Sequence, residues 1–358
     1  MKIYKVVGMM SGTSLDGLDL AYCHIWKNLN RWVFKIVKTK SIPYDEKFQS
    51  KLQDAINLPA DQLLCFHNEY GNWLGEQASR FIKDSNIEVE LLASHGHTIH
   101  HQPHLGLTFQ LGSGQHVANA SRVKTICDFR TNDVALGGQG APLVPIGDRI
   151  LFGSYDYCLN LGGISNISFE RDGKRIAYDI GVANMLLNHI TRQHGLSFDM
   201  DGELARKGKL LPDMLRQLNA LEYYSRPYPK STGYEWFSKE IVPILQGNDA
   251  PMETLLHTSI DHICKQLALQ IKKYAGRIDR TLLVTGGGAL NGYLIEVLQS
   301  KLGGKIKVVL PPKEIIEFKE ALIFALMGVL RLEQEINVLH SVTGATKDSS
   351  SGVLYLPS

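Results

Sequence analysis

The sequence predicts an α/β protein of two lobes, and three observations carry that expectation. A chain of 358 residues exceeds the length at which one hydrophobic core usually suffices. Apolar runs of strand length alternate with stretches whose apolar residues recur every three or four positions, the period of a helix. A pattern of strand, small polar turn, strand and strand opens the chain and recurs from residue 155, roughly 150 residues later. That recurrence reads as a suspected internal duplication.

Composition narrows the class further. Hydrophobic residues make up 44% and charged residues 21%, the balance of a globular protein. A net charge of +2 gives no electrostatic reason to expect nucleic acid or a membrane surface as partner. The N-terminus reads directly into a strand, so no secretion signal is expected, and no apolar run reaches membrane-spanning length. Cys23, Cys65, Cys127, Cys158 and Cys264 are scattered and form no Cys-x-x-Cys pair, which points to free thiols in a reducing cytoplasm.

The first turn, residues 8–19, lies between apolar strands at 3–7 and 20–26. Its Gly12, Thr13, Ser14, Leu15, Asp16, Gly17, Leu18 and Asp19 form a small polar loop whose backbone N–H groups suit phosphate oxygens. Asp16 and Asp19 are the candidates to hold Mg²⁺. An ordinary hairpin turn has the same composition, so that alternative stays open. A third strand follows at 32–44, then helical patterns at 44–56 and 59–87, and a strand at 89–94. That strand leads into five histidines between His95 and His104, read as a loop. A zinc site is disfavoured, because no His-Glu-x-x-His occurs and Gly96 and Pro103 interrupt any helical register.

A short strand at 125–130 ends in Asp128, Phe129 and Arg130. The Gly-rich loop at 132–145, with Gln139, is expected to mark the crossing between lobes and to wall a substrate site. Lobe I is placed at 1–130 plus 335–358, and lobe II at 131–334. The second lobe opens with a strand at 155–161, a polar turn carrying Gly162 and Gly163, and strands at 167–171 and 175–179. Asp179 is expected to end its strand ahead of a helix from about Asn184, where a carboxylate on a rigid edge suits chemistry. Capping the helix is the competing role. The segment from Asp199 to Gly202 imitates the Asp-x-Asp-Gly of haloacid dehalogenase-type phosphatases but lacks the buried strand which that motif needs. A long amphipathic helix at 255–274 and a strand at 281–284 precede Gly286, Gly287, Gly288 and Asn291, a strand–glycine turn–helix arrangement that brings amides toward a nucleotide. No Walker lysine motif is present. A final helix at 317–333 is expected to carry Glu320 in its first turn.

Taken together, Gly8-x-Met10-Ser11-Gly12-Thr13-Ser14-x-Asp16-Gly17-x-Asp19, Ser94-His95-Gly96-x-Thr98, Asp128-Phe129-Arg130, the segment from Asp133 to Pro145, Asn160-Leu161-Gly162-Gly163-Ile164-Ser165-Asn166, Lys230-Ser231-Thr232-Gly233 and Gly286-Gly287-Gly288-Ala289-x-Asn291 resemble the anhydro-N-acetylmuramic acid kinase family. The blocks run from residue 8 to about residue 325. The chain departs from the family pattern at His97, at Val182-Ala183 and at Tyr234.

The resemblance implies an α/β fold of two ribonuclease H-like lobes, of the actin, chaperone ATPase and sugar kinase superfamily, around a nucleotide cleft. It implies ATP and Mg²⁺ as cofactors, and an anhydro amino sugar that is hydrolysed at its 1,6-anhydro bond and phosphorylated on O6 during cell-wall recycling. It makes Asp179 the base for the attacking water and Glu320 a residue orienting the sugar. His95, Asp128, Arg130, Gln139 and Asn184 become the sugar-contact candidates. The expected enzyme is cytoplasmic and a homodimer.

Overall fold

The computed structural model describes residues 2–12, 15–276 and 279–358. Thr13 and Ser14, both expected in the phosphate turn, lie outside the described residues. The strands are β1 (Ile3–Ser11), β2 (Gly17–Asn28), β3 (Arg31–Pro43), β4 (Leu91–Ser94), β5 (His97–Gln102), β6 (Leu107–Leu111), β7 (Thr125–Cys127), β8 (Tyr157–Leu161), β9 (Ile164–Arg171), β10 (Lys174–Val182), β11 (Arg280–Thr285), β12 (Ile306–Val309) and β13 (Val353–Tyr355).

The chain divides into a unit of Met1–Phe152 with Phe318–Ser358 and a unit of Gly153–Glu317. The first carries a sheet ordered β13-β7-β4-β1-β2-β3, the second a sheet ordered β10-β9-β8-β11-β12. In both, three successive strands form an antiparallel meander. In both, the first strand of the meander then pairs in parallel with a later strand, which pairs in parallel with the next. The suspected duplication is therefore a repeat of topology, and each sheet has the mixed order of a ribonuclease H-like lobe.

Each unit has its own core. In the first, the Ala60–Ser85 helix lays Phe66, Tyr70, Leu74, Ala78 and Phe81 against Val7, Met9, Leu18 and Leu20. In the second, the Met252–Ala275 helix buries Leu256, Ile260, Ile263, Leu267 and Ile271 with Leu159, Leu161, Leu282 and Val284. The helical and alternating periods visible in the sequence thus coincide with the buried faces.

Several expectations need correction. The division between units falls after Phe152 and Glu317, where the sequence reading had placed it after residues 130 and 334. Two contacts explain the shift. Lys319 reaches Asp148 at 2.6 Å with both side chains almost fully buried, and a Cβ on Gly147 would collide with Ile323. The 132–145 loop accordingly belongs wholly to the first unit, where Thr131–Ala135 is a short helix and the helix Pro145–Leu151 follows the loop. The histidine-rich segment is not a loop at its core but a hairpin, β5 pairing with β6 across a reversal completed by Gly106 at φ 70°.

The last long helix begins at Lys313 and runs to Leu332 with a break at Phe318 (φ −114°, ψ 15°). Glu320 therefore stands in its middle rather than its first turn. Asp179, expected at a strand end, lies within β10, three residues before its end.

Candidate active site

In the first unit, β1 extends through Ser11 and β2 restarts at Gly17, so the turn is tighter than its sequence block. Leu15 N–H donates to Gly12 O at 3.3 Å, and Gln49 donates to Leu15 O at 2.7 Å. In a trans peptide the N–H points opposite the C=O, so the Asp16 amide is aimed away from Gln49. Asp16 is exposed and Asp19 partly so, and Asp19 accepts the Ser41 hydroxyl at 2.5 Å.

A buried chain of hydroxyls underpins this turn. Tyr44 O–H donates to Ser11 Oγ at 2.8 Å and lies 2.7 Å from the Tyr70 hydroxyl. Ser11, accepting from Tyr44, can then donate to His97 Nδ1 at 3.0 Å. Burial lowers His97 to about 4, so the ring is neutral and able to accept that proton. The sequence presents His97 as one of five clustered histidines and as a departure from the family pattern, and it gives Tyr44 and Tyr70 no role, because hydroxyl partners from distant elements leave no local pattern.

Around the same turn gather three residues that the sequence singled out. Arg130 donates to His95 Nε2 through Nε (3.1 Å) and Nη2 (2.8 Å), and to Gly140 O at 2.6 Å. Those bonds require His95 to be neutral with its proton on Nδ1, which donates to Gly96 O at 2.9 Å. Burial and the Arg130 charge hold His95 well below the usual histidine range. Arg130 in turn faces Glu320, and burial draws the guanidinium down to about 10. Glu320 is raised by burial; Lys319 and Arg130 oppose that rise, while Asp19 and Asp16 add to it. His95, Arg130, Glu320, Asp16 and Asp19 thus form one electrostatic cluster.

Other expected residues have hydrogen-bond partners within the fold. Asp128, at φ 59°, accepts Thr131 N–H at 3.3 Å. Gln139 is exposed, and its N–H donates to Thr343 O. Its loop is braced by Asp133, fully buried, which accepts Gly140 N–H and the Thr343 hydroxyl, each at 2.7 Å. The sequence reading gave Asp133 no role.

In the second unit, the Gly162–Gly163 turn is tied to the start of the Asn184–Arg192 helix. Ala183, Asn184 and Met185 donate their N–H groups to the carbonyls of Gly163, Gly162 and Gly163. The amides of Gly163 and Ile164 consequently point away from that helix, the orientation an anion needs. Asn184 Nδ2 donates to Leu161 O at 3.0 Å, so its carboxamide helps to hold the turn. Gly286 has φ 80°, and a Cβ there would meet Asn160 Oδ1 and the Leu161 backbone, which makes glycine necessary for the approach of the two turns. Gly287 and Gly288 continue into a short 3₁₀ turn. Asn291 caps the Gly292–Leu302 helix through Leu294 N–H at 2.9 Å. The Asp-x-Asp-Gly imitation is also structural: Asp199 accepts Leu204 and Ala205 N–H, and Asp201 accepts Gly292 N–H.

Asp179 is held from several sides. Pairing with β9 slips between Asp179 and Gly181, and the segment around Lys230 takes up the freed backbone. Asp179 N–H donates to Lys230 O at 3.1 Å, Tyr223 O–H donates to Asp179 O at 2.8 Å, and Thr232 N–H donates to Oδ2 at 3.1 Å. No helix cap uses this carboxylate among the described hydrogen bonds. Burial raises Asp179 to about 6; the Thr232 hydrogen bond and the Lys230 charge restrain the rise. A half-buried carboxylate that ionises near neutrality suits proton abstraction.

No group of three or more His, Cys, Asp or Glu residues among the described residues is arranged to hold a metal by itself. A cavity of about 490 Å³ between Gly153–Tyr157, Phe169–Arg171, Lys273–Gly276 and Arg280 contains none of the candidate residues. Its four cations are engaged within the fold: Arg280 pairs with Asp156 and caps Ala275 O, Arg175 donates to Ser168, Arg171 pairs with Asp172, and Lys273 lies over the Tyr274 ring.

Two topologically equivalent lobes, each with a glycine turn following its first strand, give the fold class of the actin, chaperone ATPase and sugar kinase superfamily. The family model for anhydro-N-acetylmuramic acid kinase matches residues 4–357. Proteins of that name from Aliivibrio fischeri and Nitrosomonas europaea are each 33% identical, covering 98% of this chain and 99% of their own. One from Gloeobacter violaceus is 34% identical, covering 95% of each chain. The chain belongs to the anhydro-N-acetylmuramic acid kinase family.

Proposed function

We propose that this protein is an ATP-dependent kinase that opens the 1,6-anhydro bond of anhydro-N-acetylmuramic acid and phosphorylates O6, yielding N-acetylmuramic acid 6-phosphate and ADP in cell-wall recycling. Family membership supports the reaction. The single structural observation that carries the residue assignment is Asp179, partly buried, gripped at its backbone and ionising near 6.

In this reading Asp179 takes a proton from water as the water oxygen bonds to C1 of the sugar. The C1–O6 bond breaks, O6 bonds to the γ-phosphorus, and the bond from that phosphorus to the bridging oxygen breaks to release ADP. One water is consumed and its second hydrogen remains on the new C1 hydroxyl, so atoms and charge balance. Phosphoryl transfer demands positioning and charge neutralisation more than covalent chemistry. The amides of the Gly12–Asp19, Gly162–Gly163 and Gly286–Gly288 turns are assigned to the nucleotide. Arg130, fixed by His95 and Gly140, is assigned to the sugar with Glu320, Asp128 and Gln139; Asn184 acts by holding its turn.

Asp16 and Asp19, two carboxylates at the end of the first turn that both act on Glu320, supply the oxygen ligands of a hard dication that keeps water and phosphate oxygens in its shell. Mg²⁺ held there would neutralise charge on the transferring phosphate. Free cysteines fit a cytoplasmic setting, and no described helix is long and apolar enough to cross a membrane. The expected homodimer is read out by sedimentation of the purified chain.

A coupled assay of ADP release, with and without the anhydro sugar, tests the reaction. Sugar-dependent release is expected, and sugar binding without turnover would favour a nucleotide-gated binding protein instead. In ¹⁸O-enriched water the label should appear at the reducing-end hydroxyl; label on phosphate alone would refute the mechanism.

A further inference from the structure

The sheet of the second unit carries, on the face opposite its core, a row of polar side chains of which the reaction as written uses one end. Tyr178 and Ile180 of β10, Ile167 and Phe169 of β9, and Leu159 and Leu161 of β8 enter the core. Successive strand residues point to opposite faces, so Asp179, Asn166 and Asn160 share the other side. The register sets them level: Asn160 lies opposite Asn166, and Asn166 opposite Asp179. At ordinary strand spacing the row spans about 10 Å.

The row runs from the glycine turns to the base. Asn160 stands against the turns, since a Cβ on Gly286 would meet its Oδ1 and one on Gly162 would lie 3.5 Å from its Nδ2. Asp179 ends the row, with Oδ2 taken by Thr232 N–H and Oδ1 engaged by none of the described hydrogen bonds. Asn166 stands between them, half-buried, and none of the described hydrogen bonds uses its carboxamide. Asparagine is disfavoured in strands, and this one gives its donors and acceptor to nothing in the fold. Directly opposed residues have Cβ atoms about 4.5–5.5 Å apart, yet no described hydrogen bond joins Asn166 to Asp179. Polar groups that face one another without touching leave room for a bridging water.

We infer that Asn166 is a catalytic residue that anchors the attacking water beside Asp179. The inference rests on the reading of Asp179 as the base. Asp179 Oδ1 accepts the hydrogen that leaves the water, and Asn166 Oδ1 accepts the one that stays. With both hydrogens engaged, the oxygen is held with a lone pair free for C1. The water oxygen then bonds to C1 as the C1–O6 bond breaks, the first proton passes to Asp179, and O6 takes the γ-phosphoryl group. The second hydrogen remains on the new hydroxyl, and Asn166 undergoes no covalent change. A second anchor removes the rotational freedom that a single one leaves.

The test uses the full chain with ATP, Mg²⁺ and the anhydro sugar, in wild type, Asn166→Leu, Asn166→Asp and Asp179→Asn. Asn166→Leu keeps the shape of the side chain and loses its acceptor. Its kcat should fall about 10–100-fold, the worth of one strong hydrogen bond. Sugar affinity, measured by calorimetry beside a non-hydrolysable ATP analogue, should match wild type. Asn166→Asp sets a second carboxylate opposite the first, and like charges resist ionising together. The acid limb of kcat/KM should therefore move up from about 6 by roughly one pH unit. An unchanged kcat in Asn166→Leu would overturn the inference, and so would a weakened sugar affinity with kcat intact, which places Asn166 on the sugar. If Asn166→Leu does not fold, Asn166→Asp decides, and an acid limb at the wild-type position overturns the inference. Asp179→Asn separates the two readings: its inactivity beside a fully active Asn166→Leu rejects the water anchor alone, whereas its full activity rejects base and anchor together.

Discussion

Asp179 carries a measurable conflict between function and stability. Its folded value near 6 lies above the ordinary aspartate value of 3.8, so the native state binds the extra proton more tightly than the unfolded chain does. The stability relation follows: no penalty below about pH 4, a growing one as pH rises through 6, and the full cost above. We expect Asp179→Asn to abolish sugar-dependent ADP release yet to stabilise the fold at pH 8 by on the order of 1–3 kcal/mol, with no gain at pH 4. Calorimetric melting at both pH values checks the sign, and equal melting shifts at the two would contradict it. Wild-type kcat/KM should rise about tenfold per pH unit below 6 and level off above, because only the carboxylate accepts a proton. Residue types made this aspartate a candidate, but local pattern equally allowed a helix cap. Its companions Tyr223 and Thr232 sit 44 and 53 residues away in sequence, so only folding could reveal them.

At the scale of elements, glycine turns and helix contacts are where a single methyl group decides the outcome. The last long helix lies so close to β1 that a Cβ on Gly8 would overlap the Ala321 carbonyl. Gly8→Val should destabilise the first unit by several kcal/mol, on the order of the larger core substitutions; a melting temperature within a degree of wild type would show that the helix can move away. Gly286→Ala combines a φ of 80° with contacts to Asn160 and Leu161. The left-handed backbone alone costs roughly 1–2 kcal/mol. Its effect should appear in the KM for ATP while the fold survives, and an unchanged KM would remove the turn from the nucleotide site. These turns were legible as Gly-rich breaks between apolar runs. Their registers were not, because β1 runs on through Ser11 using hydrogen bonds that composition does not specify. The histidine hairpin escaped for a similar reason: its strands are short and half polar, and pairing between them supplies the order that propensity lacks.

For the whole molecule, the two units differ in how the chain builds them. Gly153–Glu317 is continuous and carries its own core, whereas the first unit needs the chain to return at Phe318. A fragment of residues 153–317 should therefore fold alone and melt cooperatively, and a broad, non-cooperative melt with exposed apolar surface would refute its independence. In the first unit, Lys319→Met would remove the cation facing the buried Asp148 and should cost about 3–5 kcal/mol, measured by urea unfolding of the intact chain. The sequence alone determined the α/β class, the repeated strand–turn–strand opening, the glycine turns and the family, because hydrophobic period and turn chemistry are local properties. Tertiary structure decided the unit boundaries, the neutral His95 beneath Arg130 and the elevated ionisation of Asp179. Each of those depends on burial and on partners far along the chain, and the strength of a charge is set by what surrounds it in space.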